Sequence, residues 1–344
     1  EQNVYCCLFA KNRPILDLLG LLRPENVLTI DLSNPFAALT SSWRVIDRVR
    51  ALRIDAIIDL EGFARMSAAF AFLCGGTRRV GWHRFTGEAP FRGDLMTHRL
   101  AYTPYLHAAQ QFTAQVDALR HDPGDVPLVK AVPRPRPMEA PPFHASKALL
   151  EAVRTRLPQG GGPVIIFTPN PSDILRLRKW PMENYIALGK ALQEQLPGCM
   201  LLFTGLDNER AACAEAARVL GLPEAANLAG ELSLEELCGL FTLADLLVTN
   251  DSGPGHFASM TPVHQVILFG PETPQLYGPL GTRTRVLYTP LACSPCLTAL
   301  NHRLSPCQNN VCIQKITVDD VLEEAIAALR EREQRGILGG GVSR

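Results

Sequence analysis

The chain has 344 residues, 34 Lys and Arg against 34 Asp and Glu, and 47% hydrophobic residues. That length exceeds one ordinary core and predicts two domains. The apolar content excludes a disordered chain, and the neutral charge balance gives no electrostatic case for nucleic acid as a partner. The longest apolar stretch, near Ala68 to Cys74, is far short of the roughly 20 residues a membrane helix needs. No secretory signal opens the chain. Glu1 is not a start methionine, so the numbering reads as that of a fragment or from an internal point.

Strand and helix patterns alternate from the start. Residues 3–9 read as a strand, and Pro14 opens a helix that ends near Leu22. Residues 27–32 and 55–60 are apolar, β-branched runs of the kind parallel strands show when both faces are buried. Residues 43–52 and 64–73 read as their covering helices, and 107–120 as another. A proline-dense stretch at 122–145 cannot hold a regular helix or a central strand, and reads as a linker.

The second half repeats the alternation. Residues 164–168 form a strand. Pro181 starts a helix whose Tyr185, Leu188, Leu192 and Leu196 trace one face at helical spacing. A strand at 199–204, helices at 207–220 and 234–243, and strands at 245–249 and 263–269 follow. A last helix runs from 318 to about 332. The reading is therefore a first α/β domain at 1–121, a linker at 122–145, a second α/β domain at 146–335 and a flexible tail at 336–344. Two Rossmann-like domains facing each other across a cleft are expected.

Six of the ten cysteines (Cys6, Cys7, Cys74, Cys199, Cys213 and Cys238) sit in apolar or helical contexts and read as small buried hydrophobes. Cys293, Cys296, Cys307 and Cys312 cluster late. Their spacing suits either a zinc site or an ordinary loop. The unpaired thiols point to a reducing compartment, the cytoplasm.

The most telling run is Val248-Thr-Asn-Asp-Ser-Gly-Pro-Gly-His256. A buried strand ends in an acid, a Ser252-Gly253 turn follows, and a short helix begins near Pro254. Backbone N–H groups then face outward at the carboxyl end of a strand, where an α/β protein holds a diphosphate. This points to a nucleotide sugar. Thr168-Pro-Asn170 ends a neighbouring strand and places Thr168 and Asn170 among the binding candidates. Lys179 can reach a phosphate across a helix N-terminus. The alternative makes it part of an exposed basic turn with Arg176 and Arg178. Glu209 can accept from both ribose hydroxyls, or serve as a favourable charge in a helix first turn. Asp251 can face substrate or cap the helix at Pro254. His256 can shape the turn or be a core histidine.

The run Arg178-Lys-Trp-Pro181, then Gly205 to Glu209, then Asp251-Ser-Gly-Pro-Gly-His256, then Leu268-Phe-Gly-Pro271 resembles glycosyltransferase family 9, the ADP-heptose:lipopolysaccharide heptosyltransferases and their relatives. Asp55-Ala-Ile-Ile-Asp-Leu-Glu-Gly62, Arg78-Arg-Val-Gly-Trp82 and the cysteine loop are similar to it as well. The resemblance implies a GT-B fold and an inverting, metal-independent transfer. The donor would be a nucleotide sugar (ADP-heptose) and the acceptor a lipopolysaccharide or related glycolipid or oligosaccharide. It implies no cofactor, and at most peripheral contact with the inner face of the cytoplasmic membrane. Carried across by motif, Lys179 contacts the donor phosphates and Glu209 holds the ribose. Asp251 lies beside the donor sugar, and the N–H groups of Ser252 and Gly253 bind diphosphate.

Three features depart from the family's pattern. The family opens with a strand and a Gly-Asp turn that supplies the catalytic base, and this expectation puts the base upstream of Glu1. Within the residues present, Glu61 at a strand end is the candidate base; otherwise it is a loop carboxylate in water. The turn after residue 168 reads Thr-Pro-Asn-Pro-Ser rather than glycine-rich. Phe-Gly-Pro is followed by Glu272 where threonine is usual. The alternative functions are a catalytically silent nucleotide- or glycan-binding module and a nucleotide-sugar epimerase.

Overall fold

The computed structural model describes residues 3–62, 64–83, 92–123, 139–158, 160–169, 173–298 and 304–338. The chain divides into two units, Glu1–Arg136 with Thr298–Leu304, and Pro137–Leu297 with Ser305–Arg344. The division falls within the proline-dense segment. Residues 124–138 of that segment, Asn170, and 339–344 of the tail lie outside the described residues.

The first unit runs β1 (Cys6–Phe9), α1 (Arg13–Leu19), β2 (Val27–Ile30), α2 (Pro35–Ala51), β3 (Ala56–Ile58), α3 (Arg65–Leu73), β4 (Arg78–Trp82), β5 (His98–Leu100) and α4 (Ala108–Ala118). All its strand pairs are parallel: β1 with β2, and separately β3-β4-β5 in that order. Helix α2 starts eight residues before the expected 43. Asn34 accepts the Ala37 N–H at 2.8 Å and Pro35 occupies the first helical position, which together fix an N-terminus. Val45, Ile46 and Val49 of α2 pack with Leu28, Ile30 and Ile57 into a small core.

The second unit runs α5 (Lys147–Arg154), β6 (Val164–Thr168), a 3₁₀ turn (Asp173–Arg178), α6 (Met182–Gln195), β7 (Met200–Phe203), α7 (Arg210–Val219), α8 (Leu234–Leu243), β8 (Leu246–Asn250), α9 (Gly253–Ala258), β9 (His264–Phe269), α10 (Pro274–Tyr277), β10 (Thr284–Tyr288), α11 (Val311–Gln314) and α12 (Val318–Leu338). Its five strands form one parallel sheet, ordered β10-β9-β8-β6-β7. Strands β6, β8 and β9 are buried at every position, so their side chains feed two cores. Ile165, Phe167, Leu201, Phe203, Val248 and Leu268 pack with α6, α7 and α12. Val164, Ile166, Leu202 and Leu247 pack with α8 and Val153 of α5. This is why those strands read as continuous apolar runs.

The chain winds outward in both directions from the β6–β8 pair. At such a switch point the loops leaving the two strands diverge and open a crevice at the carboxyl ends.

Several elements differ from the sequence reading. Strands β4, β5 and β10 were not expected as strands. They are short, begin or centre on basic residues, or lie half-buried at a sheet edge, which mutes the apolar signal. The helix expected over 207–220 opens as a 3₁₀ turn at Asp207–Glu209, and the last helix passes the expected end at 332 to reach Leu338. Among the described residues, no helix is long and apolar enough to cross a membrane.

Candidate functional site

The carboxyl ends of β6, β7 and β8 are tied by a buried polar lattice. Thr168 and Thr204 share a hydroxyl hydrogen bond of 2.7 Å, and Thr249 Oγ1 donates to the Thr168 carbonyl at 3.0 Å. Asn250, fully buried, donates from Nδ2 to the Pro169 carbonyl (2.6 Å) and accepts the Trp180 N–H at Oδ1 (3.0 Å). Trp180 in turn donates from Nε1 to the Ile316 carbonyl at 2.9 Å. Thr168 is therefore part of the floor of the site, with its hydroxyl committed inside the protein.

Above this floor, the turn before α6 carries Arg178 and Lys179. Lys179 is exposed and Arg178 is buried, so the two are not one exposed basic turn. Arg178 Nη1 lies 3.1 Å from Asp251 Oδ2, and Nη2 donates to Glu272 Oε2 at 3.2 Å. Asp251 is 4% exposed and Glu272 fully buried. The Asp251 carboxylate is thus committed to a guanidinium, and Ser252, not Asp251, is the N-cap residue of α9. Gly253 and His256 are exposed on α9, which removes the core-histidine alternative. Ser252 Oγ turns inward to the Asn250 carbonyl at 3.1 Å, so the turn offers its backbone rather than that hydroxyl. Helix α9 spans only six residues. Local N–H groups therefore matter more there than a summed dipole.

At the end of β7, Glu209 folds back to accept the Leu206 N–H at Oε2 (2.7 Å). A Cβ at Gly205 would stand 2.5 Å from that oxygen, so glycine is what admits the carboxylate. Burial, with a smaller contribution from Glu209, pushes the Cys213 thiol on α7 up to about 12. The Lys179 turn follows β6 and the Glu209 turn follows β7, and these strands are parallel neighbours, so both turns lie at the same end of the sheet.

The cysteine loop acts as a buttress. Ser294 Oγ donates to the Gly270 carbonyl at 2.8 Å, and the Cys296 and Leu297 N–H groups both donate to Pro271 at 2.9 Å. Asn310 donates to the Leu177 and Lys179 carbonyls at 3.1 and 3.0 Å. Cys293, Cys296, Cys307 and Cys312 are free thiols. Among the described residues, no three His, Cys, Asp or Glu side chains gather in a way that would hold a metal, and these four are no exception.

Glu61 belongs to the first unit, just beyond β3, and is exposed. Its N–H donates to Asp59 Oδ1 at 3.1 Å. Asp59 is buried and ion-paired with Arg92, which also donates to Ser67 Oγ at 2.9 Å. Sequence reasoning missed Arg178, Asn250, Glu272 and Asn310 as the residues that tie these turns together, and Asp59 as a buried ion-pair partner within the first unit. One signal was available: Glu272 stands three residues after a strand buried at every position, and an acid that close to the core has to find a partner.

Parallel α/β units with turns of this kind at the sheet's switch point define a GT-B-type fold. The solved structure of Escherichia coli ADP-heptose lipopolysaccharide heptosyltransferase II matches 95% of this chain and 89% of its own, with a TM-score of 0.65 and 23% identity. A family 9 glycosyltransferase from Veillonella parvula matches 95% and 88%, with a TM-score of 0.67 and 16% identity. The family model of glycosyltransferase family 9 (heptosyltransferase) matches residues 42–305, and the chain belongs to that family. Lipopolysaccharide heptosyltransferase 2 of Salmonella typhimurium is 32% identical over 128 residues, 36% of each chain. The chain spans about a third of the length of this and similar curated relatives.

Proposed function

We propose that this chain is an inverting glycosyltransferase of lipopolysaccharide biosynthesis. It transfers heptose from ADP-heptose to a lipopolysaccharide-type glycolipid acceptor, in the cytoplasm at the inner face of the membrane. One observation carries the reading. In a family 9 chain, the Lys179 turn, the Glu209 turn and the turn at 251–253 follow the carboxyl ends of three adjacent parallel strands. The donor and acceptor classes follow the names of the relatives described above.

The donor diphosphate sits on the N–H groups of Ser252 and Gly253. The exposed Lys179 ammonium offsets negative charge as the nucleoside diphosphate departs. Glu209, set at the end of β7, is the ribose partner. Asp251 acts through Arg178, because its carboxylate is already bound there. Asn170 and His256 flank these turns in sequence and complete the set of donor contacts. The acceptor hydroxyl loses its proton to a carboxylate as the diphosphate leaves from the opposite face of the sugar. Glu61, exposed beyond β3, is the base proposed among these residues.

The test is calorimetric titration with ADP, UDP and GDP, followed by ADP release from ADP-heptose with and without a lipid A-core acceptor. Selective ADP binding and acceptor-dependent release are expected. Absence of heat with millimolar ADP would overturn the donor assignment. Binding without any acceptor-dependent release would favour a silent binding module.

A further inference from the structure

The geometry points to Glu272 as a positioning residue of the donor site: with Asp251 it holds the Arg178 guanidinium between the turns that follow β6, β8 and β9. The inference rests on the donor-site reading above. It goes beyond that reading by assigning a role to a residue at which the chain departs from its family's usual threonine.

Three observations support it. Glu272 is fully buried, and its Oε2 accepts from Arg178 Nη2 at 3.2 Å while Nη1 lies 3.1 Å from Asp251 Oδ2. One guanidinium thus spans three loops that the sequence separates by 73 and 94 residues. The anchoring is built from outside as well. The Gly270 and Pro271 carbonyls next to Glu272 are held by Ser294, Cys296 and Leu297, and the backbone on either side of Arg178 is held by Asn310. Finally, Glu272 is fully buried, and desolvating a carboxylate is costly, so stability alone is a weak reason for its presence. A fork held at both Nη atoms has its plane fixed, whereas a guanidinium held at one can swing. Fixing that plane sets the spacing between the Lys179 turn and the Ser252-Gly253 turn, the two loops assigned to the diphosphate.

The experiment compares wild type with Glu272→Ala, Glu272→Gln, Arg178→Ala and the Arg178→Ala/Glu272→Ala pair. Each is titrated with ADP and with adenosine, and amide exchange is followed at Lys179, Ser252 and Gly253. Glu272→Ala should weaken ADP about tenfold or more, as loss of a charge-assisted contact does, while adenosine affinity stays unchanged. Glu272→Gln keeps an oxygen for Nη2 and should recover most of the loss. The double variant should be no weaker than Arg178→Ala, because Glu272 acts through the arginine. Equal weakening of ADP and adenosine, unchanged ADP affinity in Glu272→Ala, or additive losses in the double variant would each overturn the proposal. Should Glu272→Ala fail to fold, Glu272→Asp, one methylene shorter, takes its place with the same outcomes. Should wild type itself bind no ADP, the donor reading fails on its own. The clamp is then decided by exchange: faster exchange at all three amides in both single variants supports it, and unchanged exchange refutes it.

Discussion

Replacing Asn250 by alanine tests the lattice beneath the proposed site. The side chain is fully buried and makes two hydrogen bonds, accepting from the Trp180 N–H at 3.0 Å and donating to the Pro169 carbonyl at 2.6 Å. Alanine removes both partners at once and leaves a buried N–H and a buried carbonyl. Each unsatisfied group costs about 1–3 kcal/mol, so the loss should total about 2–6 kcal/mol. For a unit of this size, about 2–4 °C per kcal/mol, the melting transition of the second unit should fall by at least about 4 °C and by up to about 24 °C. Scanning calorimetry measures this directly. Thr249→Ser is the control, since it keeps the hydroxyl that donates to the Thr168 carbonyl. A folded Asn250→Ala protein melting within about 1 °C of wild type would refute the argument that these bonds hold the strand ends together.

Four further outcomes are expected. Lys179→Ala should weaken ADP by about 1.5–3 kcal/mol and leave adenosine unchanged; equal ADP affinity in calorimetry would place Lys179 outside the site. Gly205→Ala should push the Glu209 carboxylate off the Leu206 N–H, since its Cβ would stand 2.5 Å from Oε2. Lost bonding less the backbone gain is about 1–2 kcal/mol, read by chemical denaturation and matched by a drop in adenosine affinity. Glu61→Gln should slow acceptor-dependent ADP release about 10²–10⁴-fold with ADP affinity intact; unchanged turnover would remove Glu61 as the base. The Ser233 N–H and hydroxyl hold the Glu236 carboxyl below the usual carboxylate range at the start of α8. A depressed folded pKa stabilises above the unfolded value and is lost as pH falls through the folded one. Wild type should therefore exceed Glu236→Gln by about 1 kcal/mol at neutral pH, with the gap closing in acid. A gap that persists or widens in acid would contradict this.

Much of the second unit was legible in the sequence. Residues 164–168 and 234–243 appear as strand and helix with the boundaries read from the pattern. This is because buried parallel strands are continuous apolar runs and the α8 start carries a Ser233–Glu236 capping box. The Ser252-Gly253 turn at the end of an apolar strand was equally plain. The first unit was less legible. Its strands are three to five residues long, and β4 opens on two arginines.

The sequence by itself determined the alternation of elements, the class of fold and the turns at which chemistry could gather, because these depend on local periodicity and turn residues. Only the tertiary structure decided which turns meet. Strand order places β6 between β7 and β8, with β9 beyond β8. That order turns Arg178 from a residue of an apparent surface turn into the partner of Asp251 and Glu272. It also sets the cysteine loop as a brace against the Gly270-Pro271 and Leu177–Lys179 backbones. Contacts between groups 73 to 133 residues apart have no local signature. They exist because burying two faces of a parallel sheet forces distant loops to the same edge, where polar groups cut off from water must pair with one another.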